Sequence, residues 1–172
     1  GIAGASVLGH VAGEGVATFL KAGHGVRPEI DMAAADAVRE EAVAHLRLDH
    51  EHSLSWKEFE DETRRTVTDY VGFRRNAKGL GLALDTLRAL ATREPDLKAD
   101  DLHGLMRVHE SASIRLNAEL MTAAALTRTE TRTGSAHRRL DYPDTQDPEW
   151  RKFVIVERGG DGPLVRTLDC ER

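Results

Sequence analysis

Small and apolar residues recur at helical spacing along most of the chain. The first run opens in a segment where five of the first fifteen residues are glycine. Residues 6–22 fit a short helix, with Ser6 as N-cap and Gly23 just past its end. Val7, Val11, Val16, Phe19 and Leu20 are its bulky members. Glycine inside a helix costs about 1 kcal/mol relative to alanine, and that cost makes sense where something must approach the backbone closely. The opening is a poor start for an independent domain, and the chain reads as a piece of a longer polypeptide. His24-Gly25-Val26-Arg27-Pro28 then breaks the pattern and marks a boundary.

An Ala-rich helical run covers about 29–49, followed by the polar connection Asp49-His50-Glu51-His52-Ser53. Ser55 can cap the next helix, where Trp56, Phe59, Thr63, Val67 and Tyr70 recur at spacings of 3, 4, 4 and 3 along one face. Gly72, Gly79 and Gly81 interrupt, after which Leu80, Leu84, Leu87 and Ala91 form a second stripe. Glu94-Pro95-Asp96 is a turn, and the longest helix follows at about 99–127. Its expected apolar side carries Leu102, Leu105, Met106, His109, Ala112, Leu116, Leu120 and Ala123. Beyond Arg128 the periodicity fails: 130–149 is rich in Thr, Gly, Asp and Pro and reads as an ordered, irregular excursion. Residues 153–156 and 164–168 flank Gly159-Gly160-Asp161-Gly162 and form a β-hairpin. The fold expected is mainly α, an antiparallel helical bundle with a small C-terminal β-hairpin.

Composition narrows the function classes. The 172 residues carry 24 Lys+Arg against 29 Asp+Glu, a net charge of −5, which argues against wholesale neutralisation of nucleic-acid phosphates. One cysteine, Cys170, excludes an internal disulfide framework and thiolate zinc clusters, and its acidic neighbours Asp169 and Glu171 work against a thiolate nucleophile. No run approaches the length of a membrane span. Charge is uneven. Residues 29–69 hold 12 acids and 5 Lys/Arg, read as a solvated helix face, whereas 128–139 hold four arginines and one Glu. Arginines gathered outside a helix need a reason. Ion pairs that lock the excursion onto the bundle are preferred over direct contact with an anion or partner.

Candidate chemistry is sparse. His45, His50 and His52 with Asp49 and Glu51 match no closed zinc spacing, and no metal site is assigned. His103 and His109 lie six residues apart and point to different sides of a helix; His109 on the apolar stripe reads as a packed, hydrogen-bonded histidine. The Gly-rich opening lacks the spacing of a phosphate loop. It does offer a helix N-terminus at Ala5-Ser6-Val7-Leu8, whose free amides and dipole favour an anion or a partly negative oxygen. A helix packed through its glycines against a sheet explains the same residues equally well.

Two segments together carry a family resemblance. One is Gly4-Ala5-Ser6-Val7-Leu8 opening a small-residue helix. The other is Glu130-Thr131-Arg132 with His137-Arg138-Arg139-Leu140-Asp141-Tyr142-Pro143, then Asp147-Pro148-Glu149-Trp150 and a strand. The chain resembles the C-terminal region of the fumarate reductase, succinate dehydrogenase, L-aspartate oxidase and adenylylsulfate reductase flavoproteins, where an E-S/T-R…H-x-R-x-D-x-P stretch closes a helical domain. Tyr70-Val71-Gly72 and Asp101-Leu102-His103 agree with the connecting helices. Four residues separate Arg132 from His137, as in the adenylylsulfate reductase branch, while the His137-to-Pro143 end is closer to the dicarboxylate enzymes, so the substrate stays open.

The resemblance implies three parts: 1–25 as the end of an FAD-binding domain, 26–150 as a helical domain with the irregular 130–150 excursion, and 151–172 as a hairpin tail. It places Ala5, Ser6, Val7 and Leu8 beside the flavin of bound FAD, mainly through backbone. It casts Glu130, Arg132, His137, Arg139 and Asp141 as residues that hold the excursion. The substrate-binding Arg of the dicarboxylate enzymes aligns with Gly1, which departs from ordinary fumarate or succinate chemistry. The implied partners are the remainder of the flavoprotein chain and an iron–sulfur electron-transfer subunit, in a cytoplasmic protein peripheral to the membrane through that partner. Activity is expected of the full-length oxidoreductase and not of this stretch alone. The rival reading is a non-enzymatic helical module that docks a protein.

Overall fold

The computed structural model describes residues 2–23, 29–48, 53–135, 137–160 and 162–170. The chain divides into two units, Gly1–Glu41 and Ala42–Arg172. In the first, helix α1 (Ile2–Lys21) begins four residues ahead of the expected cap, so Ser6 lies within the helix. The reason is compositional: Ala3, Gly4 and Ala5 offer no side chain that competes with the helix for backbone hydrogen bonds, and alanine has the best propensity. The other end follows expectation, with Gly23 in the left-handed region at φ 76° and its amide returned to the Leu20 carbonyl at 3.1 Å. Helix α2 (Met32–Val43) is shorter than the run that predicts it. Asp31 caps it, Oδ1 accepting from the amides of Ala33 (2.9 Å) and Ala34 (3.1 Å).

The second unit is built on α3 (Trp56–Thr66), α4 (Ala77–Ala91) and α5 (Leu102–Thr127). Asn76 and Asp101 cap α4 and α5 by accepting from the amides of Gly79 (2.8 Å) and Gly104 (2.7 Å). Ser55 occupies the N-cap position of α3, yet its side chain makes no cap bond. Instead Leu54–Ser55 (β1) is drawn into a short parallel pair with Leu97–Lys98 (β3). One apolar cluster joins Phe59, Leu90, Leu97, Ala99 and Val108; a second joins Val71, Leu80, Ala83 and Ala125. Full burial of a side chain such as Phe59 contributes roughly 2–3 kcal/mol.

Two of the expected stripes shift. Continuing from α3, Val67–Val71 winds as a π-turn. Its wider winding carries Tyr70 off the buried face, leaving it 39% exposed, and puts Val71 (3%) into the core instead. On α5 the difference is larger. Leu102, Met106 and Leu116 are exposed, and the buried face is Val108, Ser111, Arg115, Ala118, Glu119, Thr122, Ala123 and Ala125. Small residues let α4 approach closely. Arg115 is buried because Glu119 and Glu94 accept its hydrogen bonds, and Arg88 reaches Glu119 from α4.

Arg74–Arg75 (β2) and Arg138–Arg139 (β4) form a second short parallel pair. Lys152–Arg158 (β5) and Pro163–Asp169 (β6) make the expected antiparallel hairpin, with Phe153 opposite Leu168. At its turn Gly162 has φ 128°, and a Cβ on Gly159 would fall 2.5 Å from the Gly162 carbonyl oxygen. Both positions require glycine. Among the described residues no helix is long and apolar enough to cross a membrane.

Candidate functional site

The excursion after α5 is where chemistry-bearing side chains gather. A helix of this length ends with carbonyls that lack intrahelical partners. Arg139 meets them: its Nη1 donates to the carbonyls of Ala125 (2.9 Å), Leu126 (3.1 Å) and Arg128 (2.9 Å). A guanidinium also suits the negative end of the helix dipole. The other edge of the same group forks onto Asp141, Nε to Oδ1 and Nη2 to Oδ2, both at 2.8 Å. Asp141 Oδ2 in turn accepts from the Ala77 amide at 2.8 Å, at the positive N-terminus of α4. One ion pair, buried on its Arg139 side, thus ties the end of α5 to the start of α4, each charge facing the dipole end that favours it. The Arg139 fork holds the Asp141 carboxyl down from 3.8 to about 2.

A second pair of groups pins the far side of the loop. Glu130 is fully buried. Its Oε1 accepts from Arg128 Nη1 (2.5 Å) and Arg132 Nε (2.7 Å), and its Oε2 from Arg132 Nη2 (3.0 Å) and the Gln146 amide (2.9 Å). Burial alone opposes ionisation of this carboxyl; the bonds from Arg132, the Gln146 amide and Arg128 outweigh it and keep its pKa below the usual carboxylate value. Arg132 also reaches Asp147 at 2.8 Å. Arg128 binds the Trp150 carbonyl at 3.1 Å and lies 5.1 Å from the centre of the Trp150 ring. Thr131 Oγ1 approaches the carbonyls of Arg139 (3.1 Å) and Tyr142 (2.8 Å) and accepts from the Arg139 amide (2.9 Å). His137 is buried and donates through Nε2 to the Arg128 carbonyl at 3.2 Å. Burial, and the charges of Arg75, Arg139 and Arg128, lower its pKa although the Arg128 carbonyl pulls the other way, so His137 is neutral near pH 7.

The five residues expected to hold the excursion are therefore brought together, in two linked clusters. Sequence reasoning missed three members. Arg128 counts there only among the gathered arginines, and Thr131 and Asp147 only as motif positions; none has an individual role, and the signal for one is the alternation of Arg with acid over 128–147. Most of these charged groups answer one another, so the arrangement positions backbone, and among the described residues its carboxylates and guanidinium groups are paired.

The remaining sequence candidates lie elsewhere. His109 Nε2 donates to the Ala42 carbonyl (2.9 Å) and His45 Nδ1 to the Leu97 carbonyl (2.6 Å), their rings meeting edge to face at 5.7 Å. His109 is hydrogen-bonded as expected, though exposed. Asp49, His50, Glu51 and His52 lie outside the described residues, as does Gly1. Ala5, Ser6, Val7 and Leu8 sit in the opening turns of α1, all exposed. Because the helix starts at Ile2, the amides of Ser6, Val7 and Leu8 are donated within it.

The model of the family described as fumarate reductase flavoprotein C-term matches residues 60–169. An uncharacterised FAD-dependent oxidoreductase of Methanocaldococcus jannaschii is 32% identical over 97 residues, covering 56% of this chain and 17% of that protein. The structure of adenylylsulfate reductase from Archaeoglobus fulgidus superposes with a TM-score of 0.85 at 24% identity, covering 95% of this chain and 28% of the other. The Sdh1 complex of Mycobacterium smegmatis superposes at 0.77 and 24% identity, covering 91% and 27%. The chain thus spans about a sixth of the curated relative and little more than a quarter of either structure.

Proposed function

The chain belongs to the family of fumarate reductase flavoprotein C-terminal domains, and from that premise we propose that it works as the C-terminal part of an FAD-dependent oxidoreductase. The observation that carries this reading is the match over 60–169, which takes in both helix ends joined by Arg139 and Asp141 and the whole Glu130 cluster. In the full-length protein, FAD would supply hydride transfer to or from an oxidised substrate, and an iron–sulfur subunit would exchange electrons with it. The protein would be cytoplasmic and would reach a membrane only through such a partner.

This chain contributes position and electrostatics. A Cβ built on Gly4 or Gly9 would meet nothing within 4 Å, so the backbone in the opening turns of α1 is approachable. Ala5, Ser6, Val7 and Leu8 are proposed to line the pyrimidine side of the flavin. With the helix beginning at Ile2, the amides of residues 6–8 are already used. Their part is shape, together with the positive end of the helix dipole one turn earlier, which favours negative charge on a reduced flavin. No residue of this chain is assigned to the hydride step.

The test uses the full-length protein. Ala5→Leu should lower the flavin-to-protein ratio read from visible absorbance, and Ser6→Asp should lower the flavin reduction potential by adding negative charge nearby. Unchanged flavin content and potential in both variants removes the assignment of residues 5–8. Full-length protein that is folded yet colourless, and that takes up no added FAD, removes the flavoprotein reading itself.

A further inference from the structure

The β2–β4 ladder sets Arg74 opposite Arg138 and Arg75 opposite Arg139. Like charges directly opposite in a sheet are destabilising, so two such rungs in succession call for compensation. The inner rung has it. Arg139 is saturated by Asp141 and three carbonyls, and Arg75, half-buried, donates through Nε to the Gly72 carbonyl at 3.1 Å. The outer rung differs: Arg74 and Arg138 are both exposed, and among the described residues neither guanidinium has a hydrogen-bond or ion-pair partner. The structure therefore divides the arginines of 128–139. Arg128, Arg132 and Arg139 are spent on the lock, and Arg138 is turned outward beside Arg74.

Adjacent strands lie about 4.8 Å apart, a separation at which two guanidinium groups can share one carboxylate. Apolar surface accompanies the charge. Leu140 is 46% exposed, and its amide extends the ladder by donating to the Arg75 carbonyl at 2.8 Å. It lies two residues beyond Arg138 and so on the same side of the strand, which sets an exposed apolar group beside the two charges. We propose that the outer rung of this ladder is a docking surface for an acidic segment of a partner polypeptide, one carboxylate bridging Arg74 and Arg138 and an apolar side chain resting on Leu140. The apolar neighbour decides the class, because a bare anion gains nothing from it. Nucleic acid is disfavoured, since two cations on a chain of net charge −5 neutralise too few phosphates. The inference is independent of any flavin.

Fluorescence anisotropy tests it with a fluorescein-labelled peptide of alternating Glu and Leu, added to the full-length protein and to its double variant Arg74→Glu/Arg138→Glu. Both side chains are exposed, and circular dichroism melting will show that the variant folds. Saturable binding is expected, weakened roughly tenfold in the double variant, since each exposed guanidinium–carboxylate contact accounts for about threefold. Arg65→Glu, a reversal at another exposed arginine on α3, should leave the affinity unchanged. An all-Glu peptide should bind more weakly than the Glu-Leu peptide. Absence of saturable binding, equal affinity in the double variant, an equal loss in Arg65→Glu, or displacement of the peptide by sulfate as readily as by unlabelled peptide would each overturn the proposal.

Discussion

Removing the carboxylate charge at Asp141 tests the link between α4 and α5 most directly. Asp141→Asn keeps the shape of the side chain and its acceptor for the Ala77 amide, but it replaces the fork beneath Arg139 with a neutral amide. The folded carboxyl has its pKa depressed from 3.8 to about 2, chiefly by the hydrogen bonds from Arg139. That depression corresponds to roughly 2 kcal/mol of stability present at neutral pH. Asp141 is an exposed residue, so solvent screening discounts that figure to about 1 kcal/mol. Because the folded pKa lies below the unfolded one, the contribution is complete above about pH 4 and disappears as the pH falls toward 2. Urea unfolding of the parent and of Asp141→Asn should therefore differ by about 1 kcal/mol at pH 7, with the curves converging at pH 2. Arg139→Met should cost more, about 3–5 kcal/mol, because it leaves three carbonyls and a carboxylate facing an apolar chain. In the double variant the two losses should be far from additive. Amide exchange at Ala77 should quicken in Asp141→Asn. A gap between parent and Asp141→Asn below about 0.5 kcal/mol at pH 7, or one that persists unchanged to pH 2, refutes the reasoning.

Glu130→Gln keeps the volume but removes the buried charge that Arg128 and Arg132 share; a loss of about 3 kcal/mol is expected in urea unfolding at pH 7, and a loss confined to a few tenths would mean that the two arginines find other acceptors. His137 has its pKa depressed in the fold, so the unfolded chain binds its proton more readily, and stability should decline as the pH drops below about 6.5. Guanidinium melts of the parent and His137→Gln at pH 7 and pH 5 will check this, since glutamine can still donate to the Arg128 carbonyl but does not titrate.

The Arg–acid alternation after residue 127 shows how far the candidate site could be read in advance. Glu130, Arg132, His137, Arg139 and Asp141 were legible as a holding cluster through the family resemblance, and the arginines gathered in a non-helical stretch pointed the same way, since such charges must be satisfied internally or against a partner. Which acid meets which base was not legible. Arg139 pairs with a residue two positions away and with a helix end more than ten positions back. The small-residue face of α5 was hidden for a related reason. Apolar periodicity finds faces made of bulky side chains, whereas Ser111, Arg115, Glu119 and Thr122 are buried only because α4 and residues 94–96 bring partners or close backbone to them. The π-turn that exchanges Tyr70 for Val71 leaves no compositional mark at all.

From the order of its residues alone, the chain specified where most helices run, the glycine stop at Gly23, that a glycine turn closes a hairpin, and that 130–150 departs from helix. Those features are local: propensity, capping and turn chemistry act over a few residues and need no distant partner. Tertiary structure decided the rest. It set which face of α5 is buried, which carboxylate answers which guanidinium, and why Arg138 faces outward while Arg139 faces in. A charge can be buried only where other elements deliver its counter-charge and acceptors, and that delivery depends on contacts between residues far apart in the chain.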